Sequence, residues 1–230
     1  MRTVAALTIL NVSLLLCRPA AAQVGYPPAA SPYVDLEHSQ ELSLVVGQFH
    51  AHRDPANVGP QSGLLVGAHY EWRAGGPALL IADVSRVASQ RHVINPLVPL
   101  AARDLGTLSV PLYAANFGLG LGLTGAKSWH RIAPEIAGGL GFVSDLRSKA
   151  DSGGFKFGTR FALNVGTGIR WIPGGAWQVR GDVTDRLYTV GYPESYYTST
   201  AGSPAIIPQT QAKSFWTHNP AFTLGISRLF

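Results

Sequence analysis

Residues 160–187, RFALNVGTGIRWIPGGAWQVRGDVTDRL, alternate with a period of two between mostly apolar positions and polar or small ones. Before the turn at residues 173–175, one parity holds Phe161, Leu163, Val165, Thr167, Ile169 and Trp171. The other parity holds small residues together with Arg160, Asn164 and Arg170. Successive side chains of a β-strand point to opposite faces, so the segment predicts a hairpin with one apolar face and one polar face.

The same alternation continues through most of the chain. It predicts eight strands, at residues 41–52, 62–73, 77–88, 107–123, 131–145, 160–172, 177–190 and 219–230. The links between them are alternately long and short, and the long ones are residues 53–61, 89–106, 146–159 and 191–218. A meander with all of its long loops at one end is typical of an outer-membrane β-barrel, which has short periplasmic turns and longer extracellular loops.

The aromatic residues indicate which face meets the solvent. A secreted soluble barrel, with its apolar face inside, is the alternative. Four tryptophans lie in or beside the predicted short turns: Trp72, Trp129, Trp171 and Trp177. Amphipathic rings prefer the boundary between hydrocarbon and headgroups, so we expect an interface belt there, lipid against the apolar face and a polar lumen. Four tyrosines toward the opposite end predict a second belt: Tyr188, Tyr192, Tyr196 and Tyr197.

The N-terminus has the features of a secretory signal peptide. Arg2 precedes an apolar run that is too short to span a bilayer, and three alanines before Gln23 suit cleavage. We therefore expect a signal peptide at residues 1–22, a flexible Pro-rich lead at 23–40 and one barrel domain at 41–230.

Composition narrows the class further. Cys17 is the only cysteine, so the mature chain would contain no disulfide. The predicted signal peptide takes two of the 18 basic residues, which leaves 16 against 13 acidic ones. That balance is too mild to indicate a nucleic-acid partner, and no segment is dense in lysine and arginine.

The chain ends inside its last predicted strand, AFTLGISRLF, and four apolar residues there share one parity: Phe222, Leu224, Ile226 and Phe230. With this ending, the chain resembles the small outer-membrane β-barrel proteins of the OmpA/OmpX-type barrel superfamily. It departs from the family pattern at Arg228, where an aromatic residue is usual. The resemblance implies an eight-stranded antiparallel up-and-down transmembrane β-barrel in a Gram-negative-type outer membrane. It also implies contact with outer-membrane lipids and recognition of the terminal strand by the barrel-assembly machinery.

The polar face carries charges that we expect to meet inside the barrel. They are Arg160, Arg170, Arg180, Asp182, Arg186, Glu71 and Glu135. An interior of about eight strands is just wide enough to be filled by side chains. Charged groups inside membrane-embedded structures normally pair with one another, so the pattern favours an ion-pair network that fills the lumen over an ion path or an acid–base site.

No catalytic, cofactor or metal site is predicted. His69 and Glu71 share a face, but without a third ligand at a diagnostic spacing they indicate a hydrogen-bonded pair. Ser89 and His92 lie in a long loop and have no orienting third group. We expect a non-enzymatic barrel with a structural or surface-interaction role, whose loops contact an extracellular ligand that the sequence does not identify. A narrow channel for ions or small solutes and a lipid-modifying enzyme are the two alternatives.

Overall fold

The computed structural model describes residues 31–199 and 203–230, and the barrel belongs to the unit Tyr33–Phe230. Its strands are β1 (Tyr33–Asp35), β2 (Gln40–Phe49), β3 (Gly63–Gly75), β4 (Ala78–Val87), β5 (Gln90–Ile94), β6 (Asp104–Ser109), β7 (Leu112–Gly122), β8 (Lys127–Trp129), β9 (Ile132–Ser144), β10 (Thr159–Gly174), β11 (Trp177–Gly191) and β12 (Ser214–Leu229). The described residues also include two short 3-10 helices, Leu100–Ala102 and Glu194–Tyr196. The predicted signal peptide, residues 1–22, lies outside the described residues. Within the described ranges, no helix is long and apolar enough to cross a membrane.

Eight of these strands form one closed antiparallel barrel, as predicted. Going around it, β2, β3, β4, β7, β9, β10, β11 and β12 each pair with the next, and β12 returns to β2. The closing register runs from Ala221 opposite Phe49 to Leu229 opposite Glu41. Closure gives every barrel strand two hydrogen-bonded neighbours, which is the condition that hydrocarbon imposes on a β-structure.

The connections alternate as expected, with four long loops at one end of the barrel, the long-loop end: residues 50–62, 88–111, 145–158 and 192–213. The main difference lies in the second loop. There β5 and β6 form a separate hairpin, whereas the prediction began the fourth barrel strand at residue 107. Pro111 lies between β6 and β7 and has no backbone N–H to give to a ladder, so the two segments are distinct strands.

Tight turns join β3 to β4 and β10 to β11 at the other end, the short-turn end. Gly76 and Gly175 adopt φ values of 52° and 70°. Residues with a Cβ rarely adopt this left-handed conformation, so glycine is the residue that these turns require.

The side chains at the apolar positions of the alternation face outward, as predicted. Val165 and Ile169 are 55% and 56% exposed, whereas Arg170 is 3% exposed. The four predicted belt tryptophans, Trp72, Trp129, Trp171 and Trp177, are all about half exposed near the short-turn end. An outer surface of exposed leucine, valine and isoleucine is the surface that a lipid bilayer covers.

The predicted tyrosine belt is wrong. All four tyrosines are buried: Tyr188 faces inward on β11, and Tyr192, Tyr196 and Tyr197 lie on the last long loop, which packs over the barrel mouth. The exposed aromatic side chains toward the long-loop end are Tyr113, Phe142, Phe161 and Trp216. Parity alone could have found Trp216, since it shares the outward parity of Phe222 on β12.

The buried tyrosines belong to a hydrophobic core at the long-loop end. Loop 50–62 contributes Val58, loop 145–158 contributes Phe155 and Phe157, and loop 192–213 contributes Ile207. Tyr192 stacks on Tyr196 with ring centroids 5.7 Å apart. We call the four long loops and this core the loop cap.

The segment before β2 belongs partly to the folded unit. β1 pairs with β8, and Leu36 donates its N–H to the carbonyl of Ala126. Arg73 donates to the carbonyls of Leu36 and His38, 3.4 and 3.2 Å away. Residues 33–39 are therefore tied to the short-turn end, although the sequence pattern placed them in the flexible lead.

Candidate functional site: the barrel lumen and the loop cap

Inward-facing charged side chains from five strands meet in the half of the barrel near the short turns. We call this set the lumen charge cluster: Glu41 on β2, Glu71 on β3, Glu135 on β9, Arg170 on β10, and Arg180 and Asp182 on β11. Both arginines and all three glutamates are at most 3% exposed. The alternation of β-structure places each of them inward, and barrel closure brings the strands face to face.

Neighbouring strands place like charges side by side in this cluster. Glu41 is directly opposite Glu71, and Arg170 is directly opposite Arg180. Like charges at such positions repel. The attraction that offsets this repulsion has to come from across the lumen, between the β2–β3 side and the β10–β11 side.

Arg170 contacts three carboxylates, two across the lumen on β2 and β3 and one on the neighbouring strand β9. Its Nη1 lies 2.7 Å from Glu71 Oε1 and 3.3 Å from Glu41 Oε2. Its Nε lies 3.0 Å from Glu135 Oε2, in an ion pair that lacks hydrogen-bond geometry. One guanidinium thus joins three strands.

Arg180 completes the cluster. Its Nη2 donates to Glu135 Oε1 at 2.9 Å and to Asp182 Oδ1 at 2.8 Å, and its Nη1 donates to Glu41. Asp182 is therefore held by its own strand neighbour. The sequence suggested that Arg170 and Asp182 would share one network, and they do so through Arg180 and Glu135.

Glu41 is the central carboxylate that the sequence did not single out. It accepts hydrogen bonds from Ser43, from Gln178 and from both cluster arginines. It stands at the first position of the predicted barrel domain, where strand ends are hard to assign. Its inward parity, shared with Ser43, was the signal that could have identified it.

Two predicted network residues lie elsewhere. Arg160 donates its Nε to the carbonyl of Phe157 at 2.8 Å and lies over the Phe157 ring, so it belongs to the loop cap. Arg186 is buried, but it makes no ion pair with any residue that the structure describes. It lies farther from the short turns and lines a cavity in that part of the lumen.

His69 lies beside the cluster but does not form the hydrogen bond with Glu71 that we expected. Its Nδ1 lies 2.6 Å from Asp83 Oδ1, whereas its Nε2 is 3.8 Å from Glu71 Oε2. Asp83 is the residue of β4 directly opposite His69. Strand register, which the sequence left open, decided this partner.

Gly168 makes room for the carboxylates. A Cβ atom at this position would lie 2.5 Å from Asp182 Oδ1 and 3.1 Å from Glu135 Oε1. The packing of the cluster thus requires glycine at this position, because the methyl group of alanine would displace an ion-paired oxygen.

The cluster separates two cavities in the lumen. One has a volume of about 180 Å³, lies at the short-turn end and reaches Glu41, Glu71 and Arg170. The other has a volume of about 80 Å³ and reaches His69, Glu135 and Arg180 from the opposite side. The charged side chains therefore form a partition across the barrel interior.

The loop cap closes the mouth at the long-loop end and holds its own buried polar contacts. Arg91 forms an ion pair with Asp151, and its guanidinium lies 5.1 Å from the Phe155 ring centroid. Tyr192 donates its hydroxyl to Asp54 at 2.6 Å. Burial, reinforced by this hydrogen bond, raises the pKa of the Tyr192 phenol well above its ordinary range.

The Ser89 hydroxyl serves loop packing. It donates to the carbonyl of Gln61 at 2.7 Å and accepts the Gln61 N–H at 3.0 Å. Both contacts tie the first long loop to the second. Among the described residues, the partners of this hydroxyl are backbone groups, so it holds the two loops together.

Chemically, the lumen is an interlocked set of buried ion pairs. Removing several charges from water is costly, and mutual attraction offsets that cost where each carboxylate also accepts hydrogen bonds. Intramembrane ionisable residues that face one another across a bundle or barrel fit this pattern. The arrangement can hold strands together and block passage.

Comparison with known proteins supports the fold. No protein-family model and no curated protein sequence matches the chain. The crystal structure of the outer membrane protein OprG from Pseudomonas aeruginosa matches with a TM-score of 0.52 at 12% identity, covering 84% of this chain and 96% of that chain. Neisserial surface protein A matches with a TM-score of 0.50 at 12% identity, covering 83% and 97%.

The first is described as an outer membrane protein and the second as a surface protein, and both match over nearly their whole length. At this level of identity the likeness concerns the fold. Together with the closed register and the exposed apolar outer face, it leads to one conclusion: the chain has the fold of the small eight-stranded outer-membrane β-barrels, and it lies in the outer membrane.

Proposed function

We propose that this chain is a non-enzymatic outer-membrane barrel that acts through its loop surface, with a lumen closed by side chains. The observation that carries the proposal is the loop cap. The long loops pack into one buried core at the barrel mouth. The loop residues in this core include Phe155, Tyr196 and Ile207. A shared core of this kind holds long loops in one arrangement, which suits a surface that recognises a partner.

The exposed charges of the loops indicate the class of that partner. Among the described loop residues, the exposed acidic side chains are Asp104 and Glu194. The exposed basic side chains are Arg53, Arg147, Lys149, Lys156 and Lys213. Five basic side chains against two acidic ones favour an anionic partner at the cell surface, such as a phosphate- or sulfate-bearing saccharide.

A salt-dependent binding experiment tests this role. The folded protein should be retained on a sulfated polysaccharide matrix at low salt, should elute as salt rises, and should pass a neutral matrix. Lys149→Gln with Lys156→Gln should weaken retention, because both lysines are exposed on one loop. Arg228→Gln, which removes a cation beside Trp177 at the short-turn end, is the matched control and should leave retention unchanged. Equal retention of all variants would contradict a loop-mediated role.

A narrow ion pathway is the second candidate, and the two lumen cavities favour it. They approach each other from opposite sides of the cluster, so a rearrangement of its ion pairs would be needed to join them. Planar-bilayer recordings separate the two functions. A closed lumen gives no resolved conductance in the unmodified protein, whereas a gated pathway gives discrete openings that change with Glu135→Gln.

A further inference from the structure

Three buried side chains beside the cluster form a donor set that suits a divalent transition metal. Glu41, His69 and Glu71 each offer one ligand atom, and these atoms lie within 4.8 Å of one another. We propose that they form a lumen site for such an ion, with Zn²⁺ as the representative metal and water completing the coordination. One imidazole and two carboxylates are donors that zinc accepts. The site is independent of the proposed surface role.

The hydrogen bond from His69 to Asp83 orients the imidazole for metal binding. Nδ1 lies 2.6 Å from Asp83 Oδ1, so in the neutral ring Nδ1 carries the hydrogen and Nε2 keeps its lone pair. Nε2 is the atom on the side of Glu71. A carboxylate that orients a histidine from behind is the usual partner of a metal-ligating imidazole.

Two of the ligand atoms are buried without a hydrogen-bond partner, although Arg180 Nη1 lies 3.8 Å from Glu71 Oε2. Within the described residues, His69 Nε2 and Glu71 Oε2 make no hydrogen bond, and their residues are 7% and 2% exposed. Buried polar atoms left unsatisfied are costly and uncommon. The two atoms are 3.8 Å apart, which is too far for a hydrogen bond. Two ligands of a tetrahedral zinc ion, each about 2.1 Å from it, lie about 3.4 Å apart, so a small shift would let both bind.

The charge balance of the lumen also favours a cation. Five carboxylates take part in the contacts around this point, on Glu41, Glu71, Asp83, Glu135 and Asp182, against two arginines, an excess of three negative charges. The half-buried Arg73 and the buried Arg186 lie outside these contacts, and including them still leaves an excess of one. Uncompensated charge inside a membrane-embedded barrel is destabilising, and a divalent ion bound beside a neutral His69 reduces the excess within these contacts from three to one.

The site has a route for exchange. The cavity of about 180 Å³ at the short-turn end is lined by both Glu41 and Glu71. An ion that enters this cavity therefore meets two of the three ligands before it reaches His69. An entry path is one of the requirements of a metal site that fills after folding.

Metal titration of the folded full-length chain in detergent micelles, after chelator treatment, tests the proposal. Each chain should bind one zinc ion when ZnCl₂ is added, and this binding should raise the midpoint of urea unfolding. With CoCl₂, the chain should show the visible absorption of a low-coordinate cobalt site with nitrogen and oxygen ligands. His69→Ala should lose the midpoint shift and the cobalt spectrum. Asp83→Asn should weaken binding about 10- to 100-fold, because it removes the group that orients the imidazole.

His218 provides the matched control. Its Nδ1 lies 2.6 Å from Asp185 Oδ2 in the same kind of pair, but the side chain is 71% exposed and points out of the barrel. His218→Ala should bind metal like the unmodified chain. Absence of binding to the unmodified chain, or equal binding by His69→Ala, would overturn the proposal. If His69→Ala does not insert, unchanged affinity in Asp83→Asn overturns it instead.

Discussion

Arginine in place of Val165 should be strongly destabilising, because this residue lies close to the middle of the apolar band. On β10, outward-facing Phe161 and Trp171 mark the two ends of that band. With a rise of about 3.3 Å per residue and a strand tilt of about 40°, the ten residue steps from Phe161 to Trp171 span about 25 Å along the membrane normal, which matches the height of the band in such barrels.

The position of Val165 follows from the same geometry. It lies about 10 Å from the level of Phe161 and about 15 Å from that of Trp171, so it is within about 3 Å of the midplane. Arginine there should cost about 2–4 kcal/mol of unfolding free energy, whereas arginine at Trp171 should cost about 0–1 kcal/mol, because the penalty falls toward the interface. Leu163, two residues nearer the long-loop end, should give an intermediate value.

Urea titration of the refolded protein in phospholipid vesicles, followed by the mobility shift of the unheated folded form on gels, measures these differences. Val165→Ala is the control for lost packing, and it should cost less than Val165→Arg. If arginine at Val165 and at Trp171 were tolerated equally, the apolar face would not be in contact with hydrocarbon, and the assignment of the two faces would be refuted.

Four further predictions concern the lumen and the cap. Glu41→Gln should lower the urea unfolding free energy by about 3–5 kcal/mol, because it leaves two buried arginines short of a partner. Asp182→Asn should cost about 1–3 kcal/mol in the same assay, since that side chain is 13% exposed and has one arginine partner. Gly168→Ala should cost about 1–3 kcal/mol through overpacking. Gly138→Ala is the control for Gly168→Ala, because a Cβ at Gly138 would make an ordinary 3.7 Å contact. Its thermal melting, measured in parallel, should match that of the unmodified protein. The buried Tyr192 phenol has a raised pKa, so its contribution to cap stability is complete below its ordinary value of 10.0 and is lost as pH rises toward the raised value. Proteolysis of the loops should therefore accelerate above about pH 10, and Tyr192→Phe should flatten that dependence.

The sequence alone determined the features that depend on neighbours along the chain. Alternation over residues 160–187 gave the inward and outward parity of Arg170 and Val165. Glycines such as Gly175 marked the short turns, and the position of Trp171 beside a turn predicted its place in the interface belt. These features follow from local backbone geometry and from the preference of each side chain for lipid, so one strand at a time is enough to infer them.

Tertiary structure decided the contacts that cross the lumen or the barrel mouth. Arg170 meets Glu41 because barrel closure places β10 opposite β2, 129 residues apart in sequence. His69 binds Asp83 because of a strand register that no local pattern specifies. Tyr196 reads as an interface residue by composition, yet it is buried because its loop folds back over the mouth. In each case the partner is set by closure of the whole sheet and packing of the loops, and the alternation along a single strand carries no information about either.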